Sequence, residues 1–116
     1  MMTRIVVDPE GPHNPLNAEL FENDVKKFTV DANMWAVREG GALDSAVWSV
    51  QAGPVTVGSD TESSNVSTNN ITVTGAGRAI VKVVLTLDSD GSNQVYNQYI
   101  EIEIKEIDKT DTKYWR

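Results

Sequence analysis

The chain has 116 residues, with 10 Lys and Arg against 17 Asp and Glu, a formal net charge of −7, and no cysteine. That length suits one domain with a single core, and a hydrophobic content of 40% excludes a wholly disordered chain. Disulfide scaffolds and thiolate metal sites are excluded, and the acidic balance, with no base between Arg38 and Arg78, argues against a nucleic-acid partner.

No apolar run is long enough to cross a bilayer, and the first eight residues hold no apolar stretch of the signal-peptide kind. The expectation is a soluble protein made without a cleavable export signal. Residues 3–7 predict a strand that could add to a sheet edge, its own or a neighbour's. Residues 8–24 contain Pro9, Pro12 and Pro15 and no regular period, which predicts an arm or linker. Within it a short helical turn over residues 16–22 is possible, with Asn14 as cap and Pro15 at its first position.

From residue 25 onward the period is two. Residues 25–30 alternate with Phe28 and Val30 on one face. Residues 46–50, around Trp48, and residues 54–58 predict short strands. Residues 59–74 are rich in Ser, Thr and Asn, and Val66, Ile71 and Val73 anchor them as a solvated loop followed by an edge strand. Residues 78–87 are β-branched and apolar enough for a central strand covered on both faces. After a turn of Asp, Gly, Ser and Asn, residues 94–107 set Tyr96, Ile100, Ile102 and Ile104 on one face, with Tyr99, Glu101, Glu103 and Lys105 on the other. The last two strands predict a long antiparallel hairpin. Seven strands at turn-marked intervals predict an all-β sandwich.

The candidates for chemistry are weak beside their structural readings. His13 is the only histidine, so no His cluster can hold a metal, and it lies in an unsupported segment. Glu101 and Glu103 are spaced like a glycosidase pair, about 6.6–6.8 Å along a strand, but flank Tyr99 and Lys105 as a solvated face would. The Asp88-Ser-Asp90-Gly91-Ser-Asn93 run resembles the start of a calcium loop but has Tyr99 where its bidentate Glu belongs, so a turn is favoured. Gly75-Ala-Gly77 lacks the third glycine and following helix of a phosphate cradle. Asn65 and Asn70 open glycosylation patterns that carry little weight without export. Met34 and Trp35 read as loop anchors in the core, with exposed contacts as the alternative.

The run Phe28-Thr29-Val30-Asp31, then Trp35, Gly40-Gly41, Ser45-Ala46-Val47-Trp48-Ser49-Val50, Gly53-Pro54-Val55-Thr56-Val57, and Gly77-Arg78 opening the strand before the final hairpin, resembles one family. It is the small immunoglobulin-like virion proteins of tailed bacteriophages, the fibre–tail adaptor type. The resemblance spans residues 25–107. It implies an immunoglobulin-like antiparallel β-sandwich, no catalytic residues, no cofactor and a structural place in the virion.

The expected organisation is therefore an N-terminal arm (1–24), a sandwich (25–107) and a C-terminal tail (108–116). Arm and tail would hold other virion proteins, and further copies of the chain, through Ile5, Val7, Pro9, Pro12, Leu16, Phe21, Tyr114, Trp115 and Arg116. Neither nucleic acid nor membrane is expected as a partner. The alternatives are a capsid decoration protein and a carbohydrate-binding module, the latter using Trp35 beside the 59–70 loop.

Overall fold

The alternating apolar stretch near the C-terminus folds as expected into a long hairpin of β8 (Gly77–Ser89) and β9 (Ser92–Lys105), and the rest of the fold is laid against it. The computed structural model describes residues 2–9, 11 and 14–106. Ahead of the hairpin come β1 (Met2–Val6), β2 (Leu16–Phe21), β3 (Val25–Asp31), the helix α1 (Asn33–Glu39), β4 (Gly41–Ala52), β5 (Val55–Val57), β6 (Thr61–Ser63) and β7 (Val66–Val73). The hairpin closes through Asp90 and Gly91, both at positive φ (45° and 81°), a backbone that Asp-Gly adopts readily.

Two sheets result. One has the order β1-β3-β7-β5, with β6 paired to β7 as well; β3 occupies one side of β7, so β5 and β6 share the other. The second has the order β2-β9-β8-β4. First-third-seventh-fifth strands facing ninth-eighth-fourth is the immunoglobulin arrangement, with the N-terminal segment divided between the sheets. The core lies between them, built from Phe28, Val30, Trp35, Trp48, Ile71, Val81, Val83, Leu85, Leu87, Ile100 and Ile102 among others.

Several expectations are corrected. The sheets are mixed, not purely antiparallel: β1 runs parallel to β3 and β2 parallel to β9. Residues 2–9 and 14–24 are not a free arm, because they supply an edge strand to each sheet. The helical turn foreseen over residues 16–22 is instead β2, whose Leu16, Ala18 and Leu20 face the core while Asn17, Glu19 and Phe21 face out. Its period of two was present in the sequence, masked by the helix-start signal of Pro15. The seven predicted strands become nine through β2 and β6.

The polar stretch before Ile71 hides a strand that is internal to its sheet rather than an edge. Ser67 and Asn69 of β7 point into the interior with their hydrogen bonds satisfied. The Trp48 indole Nε1 donates to Ser67 Oγ at 2.9 Å. Asn69 clamps the Gly58 backbone, its Oδ1 accepting from Gly58 N and its Nδ2 donating to Gly58 O, both at 2.9 Å. A buried polar group so partnered costs little, which lets a strand with a polar inner face pair on both sides. β8 is central as expected, yet only one face is fully covered; Ile80, Lys82, Val84 and Thr86 remain half-buried on the other.

Candidate interaction surfaces

The strands set two opposed ends and two outer faces. At one end lie α1, the Ser64–Asn65 turn and the Asp90–Gly91 turn. At the other lie the β2–β3 turn and the β7–β8 turn around Gly75.

The helix end is a braced polar network. Asp31 Oδ1 accepts from both the backbone N and the side-chain Nδ2 of Asn33 at 2.9 Å, standing in for the side-chain cap that Ala32 cannot supply. Its Oδ2 pairs with Arg4. Asn33 Oδ1 in turn accepts from Asn65 Nδ2, and Asn65 Oδ1 accepts from Leu43 N. Burial pushes the Asp31 carboxyl up, but the hydrogen bonds from Asn33 and the Arg4 charge outweigh it and hold the group below the usual aspartate range. The far end of α1 is tied down by Ser89 Oγ, donating to Glu39 O at 2.6 Å, and by Gln94 Nε2, donating to Glu39 Oε1 at 2.8 Å. Trp35 is buried and meets Tyr96 edge-on with ring centroids 6.2 Å apart. Met34 and Val37 point outward, Val37 being 80% exposed.

At the opposite end Phe21 and Val25 are exposed. On the outer face of the second sheet, Val47 and Val95 are exposed beside half-buried Val84 and Thr86, with which the register aligns them. Further along that face Glu101 lies opposite Ile80, and Glu103 lies between Arg78 and Glu19. The two carboxylates thus belong to a mixed-charge outer surface, Glu101 half-buried and Glu103 exposed, with Lys105 Nζ 3.3 Å from Glu19. Among the described residues no three His, Cys, Asp or Glu side chains cluster as a metal site would need. Asp88 pairs with Asn93 in the hairpin ladder, as a turn requires.

The sequence-predicted partner residues divide sharply. Ile5 and Val7 are buried in the chain's own core, where no partner can reach them. Pro9 and Leu16 are half-buried, Leu16 packed against that core. Among the described residues of the group, Phe21 alone is exposed. Pro12, Tyr114, Trp115 and Arg116 lie outside the described residues, as does His13. A groove of about 380 Å³ does open beside residues 59–70, lined by Lys27, Ser59, Thr61, Thr68, Asn69 and Asn70. Its lining holds no aromatic platform for a sugar, and Trp35 is shut in the core. The residues that sequence reasoning passed over are Val47, Val37 and Val95. Val47 carried a readable signal, an apolar side chain at an outward position between inward Ala46 and Trp48.

No family model matches the chain, and no curated protein matches it in sequence. Solved structures do share its fold. The cysteine protease inhibitor EhICP2 from Entamoeba histolytica superposes with a TM-score of 0.51 at 13% identity, over 90% of this chain and 97% of that one. PbICP-C, solved in complex with falcipain-2, gives a TM-score of 0.53 at 7% identity, over 89% and 99%. Such low identity at near-complete coverage carries the architecture alone: the chain is an immunoglobulin-like β-sandwich.

Proposed function

We propose that the chain is a non-enzymatic structural component of a bacteriophage virion that joins tail or fibre components. The observation that carries this reading is the placing of exposed apolar side chains at both ends of a braced sandwich: Met34 and Val37 at one, Phe21 and Val25 at the other. A connector needs contacts for two neighbours held apart, and the 13 residues of β8 separate the ends by about 40 Å. The resemblance over residues 25–107 supplies the setting. Its shared positions do scaffold work here: Phe28 and Trp48 in the core, Asp31 bracing α1.

The test is the chain's copy number in purified particles, by quantitative mass spectrometry against a known capsid protein. A dozen copies or fewer fits a joint, hundreds would mean shell decoration, and absence would sink the virion role. Charged substitutions at one end (Phe21→Glu with Val25→Glu) should release one neighbour, and those at the other (Met34→Glu with Val37→Glu) a different one.

A second reading is favoured by one observation, that α1 lies at the same end as the two turns and offers Met34 and Val37 from a rigid base. One solved structure of like fold is a cysteine protease inhibitor by name, and another was solved in complex with falcipain-2. That end would then cap a cysteine protease. An inhibition assay on purified chain decides it: inhibition lost in Met34→Glu supports this reading, and none at micromolar chain retires it.

A further inference from the structure

Among the described residues β4 pairs only with β8 and is the edge of its sheet. Its register with β8 shifts between Leu43 and Ser45 and again between Val50 and Ala52, so residues 45–50 form one regular stretch between two irregularities. The near end of the edge is closed, because Leu43 N donates to the Asn65 side chain. Along residues 45–50 the backbone groups facing away from β8 have no partner among the described residues. The stretch reads Ser-Ala-Val-Trp-Ser-Val, without the charge or proline that commonly blocks an exposed edge. Val47 stands 58% exposed in its middle.

We propose that two copies of the chain join edge to edge, β4 antiparallel to β4 about a two-fold axis through Val47, fusing two four-stranded sheets into one of eight. An axis normal to the sheet keeps the inner faces of both copies on one side. Opposed residues must then share a face, so the axis passes through a residue rather than between two. Centred on Val47, the pairing sets Ser45 opposite Ser49 and Ala46 opposite Trp48, twice over. The inner-face positions thereby match a small side chain with the largest one, and on the outer face each Val47 covers the other. Centred on Trp48, two indoles would compete for one place. It is this self-matching that points to a second copy as the occupant. The contact is short, so the dimer is a weak, concentration-dependent one. It does not depend on the virion role.

Sedimentation equilibrium of the full chain across a wide concentration range reads it directly. The mass should climb from 12.7 kDa toward twice that value. Val47→Lys sets like charges face to face and should hold the chain monomeric with an unchanged circular dichroism spectrum. Val95→Lys, on the same outer face but two strands from the edge, should leave the dimer intact. A second readout does not rely on that variant: the chain has no cysteine, so Val47→Cys should give a covalent dimer with a short thiol linker and Val95→Cys should not. A wild-type chain monomeric at every concentration overturns the proposal. So does a dimer that survives Val47→Lys, or one that Val95→Lys also dissolves, which would indicate face-to-face packing.

Discussion

Asp31 shows how one carboxylate organises an end of the molecule. It caps α1 through Asn33 and anchors β1 through Arg4, so Asp31→Ala should cost about 1–3 kcal/mol in chemical denaturation. Because the folded carboxyl titrates below its unfolded value, its stabilisation is complete above the ordinary aspartate range and is lost as pH falls through the folded value. Asp31→Asn keeps an acceptor for Asn33 and loses the charge. Its stability should therefore lie between those of wild type and Asp31→Ala at neutral pH, and should fall less steeply in acid. Asn69→Leu should cost about 1–3 kcal/mol, since it removes both hydrogen bonds that the buried amide makes to Gly58 N and O. Equal urea midpoints for Asn69→Leu and wild type would contradict that. These polar partnerships are also why the sequence misled over β7. A polar run signals solvent unless each group's partner is known, and the partners of Ser67 and Asn69 lie 19 and 11 residues away.

At the scale of elements, legibility followed strand length and locality. β8 and β9 were plain because a tight turn joins two long alternating runs, whereas the seven-residue α1 is too short to display a helical period. Phe28 and Val30 share one face as expected and that face is in the core, and Trp35 is an anchor as expected, though from a helix instead of a loop. The passage from β4 to β5 hangs on Gly53, with φ at +95° and a Cβ that would sit 2.3 Å from Arg78 O. Gly53→Ala must move the backbone of β8, the central strand of its sheet. Its thermal midpoint should drop by several degrees, beyond the ~1 kcal/mol of an ordinary glycine replacement.

For the whole molecule, the N-terminal segment belongs to the fold. Ile5, Val7 and Leu20 are buried, each contributing about 1.5–3 kcal/mol of apolar burial, together a large part of the roughly 5–15 kcal/mol that holds a domain. Deleting residues 1–24 should leave a chain without a cooperative unfolding transition, followed by near-ultraviolet circular dichroism. A folded monomer, expected from the sequence if those residues were an arm, would show that the two edge strands are dispensable. The strand over residues 3–7 was legible, but nothing local in the sequence says which sheet either strand joins, because the pairing is long-range: Leu16 meets Ile100. The candidate surfaces were less legible than the fold, since exposure at Val37, Val47 and Val95 depends on which face each element turns outward.

The parallel run of β2 beside β9 also bears on load. Six register pairs, from Leu16 with Ile100 to Phe21 with Lys105, join the second strand to the last. A pull on the two chain ends drags parallel neighbours lengthwise in opposite directions, so all six rungs bear the force together and cannot open one after another like a zip. The sandwich is built to resist tension along its own chain.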